Sequence, residues 1–555
     1  MNKKVCSFPI LFALFALLIG TCAVVFPASA QAAPTSTGSI TVSGTVASSY
    51  DAYQIFSANV VDGDSDAKIA TDLAWASDAV RDAALPVLHS AGMPNSQTTA
   101  QEAAEWLNTD SHLTSALSAQ LARSLQSSGA VSVALNAGTT AELPSGYWLI
   151  VADDDAISQN EAGTAPIMVL VGGSAATVKP KAATPKVSKH VLEDSTAAWQ
   201  KAADATVADD LYWRLSATVP AGLTAYDTYT VQFVDTMSAG LDPSKVAASM
   251  RVYVAAGADG GFDAVSAGKD GRAGTEPAKG WTDITAQCAT KVAADGTFTV
   301  RTGDLIAALG GADAFTVGAR VVAVYNAPLG SACNHGIAKG NPNEVYLRYP
   351  RSPLADQSGD AGFTCTPNDD ACAYTWDLAL TKRGSDGDKP LAGAVLSIAD
   401  DRGRTLAADG TWDAEGKATV TTGEDGRVTV SGVDSGKLEV RELKAPKGYT
   451  AFEGTRSVTV KAEGLDVDQV AAAKPKLTIT AESPLRADSA DGSTGSLEAS
   501  LINTPTGTPP SITTGGFMPS TGDMAMYAAA AAAVAGAALI VVALLVKRGG
   551  GSHKE

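Results

Sequence analysis

The chain runs to 555 residues with 59 acidic against 41 basic side chains, a formal net charge of −18. That length allows three or four domains at roughly 150 residues each. So acidic a balance argues against nucleic acid as a partner, because phosphate neutralisation needs clustered Lys and Arg. No His-Glu-x-x-His, Gly-x-Ser-x-Gly or P-loop pattern points to an enzyme.

Residues 1–32 read as a secretory signal peptide: Lys3 and Lys4 precede an apolar run, and small residues around Ala28 to Ala32 offer cleavage sites. Residues 36–178 form a mixed α+β domain. There "GSITVSGTV" alternates as a strand, Thr99 with Glu102 reads as a capping box, Leu113, Leu117, Leu121 and Leu125 recur at helical spacing, and "SGYWLIVA" returns to strand. The one lysine between residue 33 and Val178 is Lys68, in "DGDSDAKIATDL", which reads as a loop or helix start. Asp62, Asp64 and Asp66 imitate the opening of an EF-hand loop, but Ala67 takes the required glycine position and Leu73 the twelfth, so no calcium site is expected.

Residues 179–355 and 370–506 both carry short alternating runs between Gly, Asp and Pro clusters. "LYWRLSATV", "YTVQFVD" and "NEVYLRY" lie in the first segment, and "TWDLALTK", "KLEVREL" and "LEASLIN" in the second. Each reads as a β-sandwich, so the chain is expected to be mainly β. Residues 507–517 are a Thr/Pro/Gly linker. Residues 518–555 contain an apolar span at 526–546 followed by "KRGGGSHKE", a transmembrane segment with its basic tail kept inside the cell. Everything between the two ends is then secreted. Of the cysteines past the signal peptide, Cys288, Cys333, Cys365 and Cys372, an even number in an exported chain favours two disulfides, with Cys365 to Cys372 as the local pair. Their spacings match no zinc pattern, and no metal or cofactor is expected. His89, His112, His190 and His335 are scattered and read as ordinary side chains.

The motif "FMPSTGD", followed by the apolar span and basic tail, resembles a sortase cell-wall sorting signal, with Met518, Pro519, Ser520, Thr521 and Gly522 in the places of Leu-Pro-x-Thr-Gly. The resemblance implies that a sortase cysteine attacks the Thr521 carbonyl and releases Gly522 with the span, leaving the protein covalently anchored at the cell surface. Between the first two domains "TVKPK" resembles the pilin motif of Gram-positive shaft pilins, with Lys181, or Lys179 beside it, as the acceptor amine. Together with "AYQIF" and "GNPNEVYL", these motifs make the chain similar to sortase-assembled major pilins carrying Cna-B-like domains.

That resemblance implies tandem Ig-like, Cna-B-type sandwiches, each closed by an isopeptide between a first-strand Lys and a last-strand Asn beside a buried carboxyl group. In the middle domain Lys189, Asp235 and Asn343 take these roles, with Asn341 as the alternative amide. Strand alternation puts Asn343 on one face with Val345, Leu347 and Tyr349. In the C-terminal domain the three are Lys382, Glu442 and Asn503. Burial would leave the amine neutral and nucleophilic and the carboxyl protonated. The first domain, lacking a first-strand lysine, should form no such bond. The implied partners are pilus-specific and housekeeping sortases, other copies of the chain, minor pilins, peptidoglycan and a host surface ligand. The competing reading is a monomeric wall-anchored adhesin that binds host matrix and has no use for Lys181.

Overall fold

The computed structural model describes residues 36–507 apart from 65–66, 110–111, 182–183, 222 and 258–279. The signal peptide, the sorting motif and the apolar span expected at the ends lie outside the described residues. No described helix is long and apolar enough to cross a membrane. Among the described residues strands make up 44% and helices 15%, so the fold is mainly β.

The first domain sets a five-stranded sheet against a three-stranded one, with three helices on the outer face of the larger sheet. Its central strands, Ser49–Asp62 and Gly146–Ala152, are apolar on both faces because both are covered. Tyr50, Trp148 and Ile150 face the small sheet, while Ile55, Phe56 and Leu149 meet Leu88, Leu121 and Leu125 from the helices. The capping box forms as expected: Thr99 Oγ1 accepts from Glu102 N, and Glu102 Oε2 accepts from Thr99 N, 3.0 Å. Leu117, Leu121 and Leu125 lie inside helix Ser115–Ser128, but Leu113 precedes its Thr114 cap and is exposed. Lys68 opens strand Lys68–Trp75, contrary to its reading as a loop or helix start; pairing with Ser49–Asp62 extends the hairpin that far.

The middle domain is a sandwich of a six-stranded and a seven-stranded sheet. Its first strand, Val187–Glu193, lies in the six-stranded sheet next to Tyr212–Thr218, which pairs with Arg320–Asn326. Strands Gln232–Met237 and Asn341–Pro350 are neighbours in the seven-stranded sheet. Trp213, Phe233, Phe298, Tyr325 and Leu347 fill the space between. Strand Asp369–Tyr374 pairs with Asn341–Pro350 and so belongs to this sandwich, which moves the start of the last domain from the expected 370 to Trp376.

The C-terminal domain is a second sandwich of five-stranded and seven-stranded sheets. Its first strand, Trp376–Gly384, runs parallel to its last, Ser496–Pro505, with Lys382 opposite Leu501 and Gly384 opposite Asn503. Strand Gly436–Lys444, which carries Glu442, lies in the facing sheet. The two sandwiches touch through polar contacts: Trp376 Nε1 donates to Asp204 Oδ2 at 2.6 Å, and Arg404 reaches Asp209.

Candidate functional site: two buried amine, carboxyl and amide clusters

Both expected triads come together inside their sandwiches. In the middle domain Lys189, Asp235 and Asn343 are each 0% exposed. Lys189 points inward from one sheet, and Asp235 and Asn343 point inward from the other. Lys189 Nζ donates to Asp235 Oδ2 and, at 2.9 Å, to the Tyr325 hydroxyl. Tyr325 in turn donates to Asp235 Oδ2 at 3.1 Å and accepts from Asn343 Nδ2 at 2.8 Å. Asp235 Oδ1 and Asn343 Oδ1 are buried without a hydrogen-bond partner. The rings of Trp213 and Tyr325 each lie 5.5 Å from Nζ.

Such surroundings penalise charge. Burial pulls the Lys189 amine down to about 8, against the opposing pull of Asp235, and burial pushes the Asp235 carboxyl above its ordinary range. Two groups that would form an ion pair in water are thereby driven toward their neutral forms. The backbone at Lys189 is also held: Lys189 N donates to Asp369 Oδ2 at 2.6 Å, Lys201 Nζ donates to Lys189 O at 2.8 Å, and Lys201 pairs with Asp369.

Asn343 and Asn341 are separated by their partners. Both are fully buried and share the inward face of their strand with Val345, Leu347 and Tyr349. Asn341, however, spends its amide on backbone: Nδ2 donates to Asn334 O and Ala373 O, and Oδ1 accepts from Asn334 N. Asn343 is the amide that reaches the amine's hydrogen-bond network.

In the C-terminal domain Lys382 Nζ lies 3.6 Å from Glu442 Oε1 and donates to Leu501 O at 3.2 Å. Asn503 Nδ2 donates to both Glu442 oxygens, at 2.8 and 3.0 Å, and Phe452 N donates to Oε2. Burial brings the Lys382 amine down to about 8, with Glu442 opposing it. Asn503 Oδ1 again lacks a partner. Both clusters therefore hold an amine whose charged form burial disfavours, beside a carboxyl group and an amide.

Three side chains at the middle site escape sequence reading. Tyr325 lies in a strand, Arg320–Asn326, whose residues from Val321 onward are buried on both faces, so alternation marks no inward side. The one available signal is that a buried phenol needs a partner for its hydroxyl. Lys201 and Asp369 act across a sheet junction, and no spacing in the chain reveals that.

Lys181 and Lys179 are exposed, eight and ten residues before the wholly buried Lys189. Met518, Pro519, Ser520, Thr521 and Gly522 lie outside the described residues. In the first domain Lys68 Nζ donates to the carbonyls of Gly172 and Ser174, at 2.8 and 2.6 Å.

The expected disulfides do not form: Cys288, Cys333, Cys365 and Cys372 all remain thiols. Cys365 sits opposite Arg348 and Cys372 opposite Pro342 on the same strand. Six register positions put them about 20 Å apart, far beyond the roughly 4–7 Å between Cα atoms that a disulfide spans. Seven residues of sequence separation gave no hint that the segment is extended.

A family model described as SpaA, prealbumin-like fold domain, matches residues 377–474. The trypsin-resistant surface T6 protein of Streptococcus pyogenes serotype M6 is 30% identical over 129 residues, and that match covers 22% of each chain. The matched stretch thus spans about a fifth of the curated relative's length. Among solved structures, the T6 backbone pilin of serotype M6 S. pyogenes is 17% identical, with 85% of this chain and 98% of that one covered and a TM-score of 0.46. The Corynebacterium diphtheriae major pilin SpaA is 13% identical, with 84% and 100% covered and a TM-score of 0.39. Over residues 377–474 the chain is thus similar to a SpaA-type prealbumin-like fold domain.

Proposed function

We propose that this protein is the repeated shaft subunit of a sortase-assembled pilus, and that each of its two sandwiches ties itself shut with an intramolecular isopeptide. The observation that carries the reading is the recurrence, in successive domains, of a buried Lys, carboxyl and Asn cluster whose ammonium form is disfavoured by burial. In each cluster the neutral Nζ attacks the Asn Cγ, the carboxyl group moves the proton, and the amide nitrogen leaves as ammonia. Lys189 would join Asn343, and Lys382 would join Asn503. Folding supplies the orientation, which is worth roughly 7–11 kcal/mol in well-placed intramolecular reactions. Each group reacts once and only with its own chain, so the protein is a structural element and not an enzyme.

The two bonds would differ in mechanical role. Lys382 and Asn503 lie on adjacent parallel strands, so their bond joins the first and last strands within one sheet. Lys189 and Asn343 lie in opposite sheets, so theirs would staple the two layers together. In both cases tension on the chain ends bypasses the strands between. Lys181, exposed just ahead of the middle sandwich, is the amine that would receive Thr521 of the next subunit through a pilus-specific sortase. A housekeeping sortase would join the finished polymer, with minor pilins, to peptidoglycan. A cell-surface location agrees with that of the T6 surface protein.

The test is an immunoblot of boiled, SDS-treated surface extracts from cells expressing this chain with its sortases. Ladders at multiples of the subunit mass, lost in Lys181→Ala and Lys181→Arg, are the expected result. A single wall-linked species in the unaltered protein would overturn the polymer and favour the adhesin.

A further inference from the structure

The two clusters solve one chemical problem with different parts. In the C-terminal domain the Glu442 carboxyl group reaches both reacting nitrogens, Lys382 Nζ at 3.6 Å and Asn503 Nδ2 at 2.8 Å. In the middle domain the carboxyl belongs to Asp235, one methylene shorter. Asp235 touches Lys189, and the partner of Asn343 Nδ2 is the Tyr325 hydroxyl. Among the described residues it is Tyr325 that connects the carboxyl group to the leaving amide.

We propose that Tyr325 is a catalytic residue of the middle-domain reaction, its hydroxyl relaying a proton from Asp235 to the departing Asn343 nitrogen. This rests on the isopeptide reading above and adds a group to it. Before reaction the amide nitrogen has no available lone pair and donates to the Tyr325 oxygen. When Nζ attacks and the Nζ–Cγ bond forms, Cγ becomes tetrahedral and Nδ2 gains a lone pair that the turned hydroxyl can protonate. One proton passes from Nζ to Asp235, and one passes from Asp235 through the Tyr325 oxygen to Nδ2. The Cγ–Nδ2 bond then breaks, ammonia leaves, and Asp235 and Tyr325 end in their starting states.

Three observations support the assignment. The hydroxyl stands 2.9 Å from Nζ, 3.1 Å from Asp235 Oδ2 and 2.8 Å from Nδ2, so no side-chain movement is needed. The ring is fixed by an edge contact with Phe298 at 4.7 Å between centroids. Burial also raises the phenol well above its ordinary pKa, which keeps the proton in place to be donated.

The experiment uses the soluble secreted region as wild type, Tyr325→Phe and Asn343→Ala, with intact mass and cross-linked peptide mapping followed over days. Wild type should have lost two ammonias. Tyr325→Phe should carry the Lys382–Asn503 link in full while the Lys189–Asn343 link is absent or forms at least roughly a hundredfold more slowly, the scale of a lost proton-transfer group. Complete middle-domain linkage in Tyr325→Phe as early as in wild type overturns the role of Tyr325 and leaves the isopeptide reading standing. Absence of the Lys189–Asn343 peptide from wild type sinks that reading itself. Asn343→Ala is the unlinked reference for folding. If Tyr325→Phe melts below it, the double variant Asp235→Glu with Tyr325→Phe decides, because the longer carboxylate would reach the amide as Glu442 does. Linkage there supports the relay, and its absence overturns it.

Discussion

Glu442→Ala removes one carboxyl group from the C-terminal sandwich and should cost that domain far more than a buried hydrogen bond. The substitution leaves Lys382 Nζ with Leu501 O and strips Asn503 Nδ2 of both acceptors, so nothing remains to move protons between them. Without the Lys382–Asn503 bond the unfolded domain regains the freedom of a loop of about 120 residues. Closing such a loop is worth about 5 kcal/mol in the chain-entropy treatment of cross-links. For a domain of this size each kcal/mol moves the melting temperature by roughly 3–5 °C, so the transition should fall by about 15–25 °C. Calorimetry reads the shift, and intact mass should show one ammonia lost where wild type has lost two. Glu442→Ala with both ammonias lost and an unmoved transition would refute the chain from carboxyl to bond to stability.

Two further outcomes test the middle site. Asn343→Ala should retain one ammonia's mass relative to wild type, whereas Asn341→Ala should form both bonds, because Asn341 is committed to the backbone of Asn334 and Ala373; peptide mapping distinguishes them. In Asn343→Ala the unreacted Lys189 has a folded pKa of about 8 against 10.5 when unfolded. The unfolded chain then binds the extra proton between those values, so stability should rise as pH goes from about 8 to about 10.5 and be flat with respect to this group below that window. The full change is about 3 kcal/mol, and chemical denaturation should show it vanish when Lys189→Met is added.

Much of the architecture was legible in the residues alone. Alternation in "LYWRLSATV" and "NEVYLRY" marks strands because a half-buried strand must alternate, and the Thr99–Glu102 box marks a helix start because the first-turn amides need acceptors. Lys189, Asp235 and Asn343, and Lys382, Glu442 and Asn503, could be nominated from motif resemblance, since charged side chains on core-facing strand positions demand a reason. Their partners could not. Which sheet each strand joins is settled by pairings between residues more than a hundred positions apart, so Tyr325 on the same hydroxyl-bonded network, the Lys201–Asp369 clamp and the choice of Asn343 over Asn341 appear only when the sheets stack. The cysteines show the same limit from the other side: seven residues apart in sequence, Cys365 and Cys372 lie at distant register positions along strand Asn341–Pro350, and only that register reveals that they cannot meet. Composition and local pattern determine which residues are buried and in what kind of element. Long-range register decides which of those buried groups touch, and with them the chemistry.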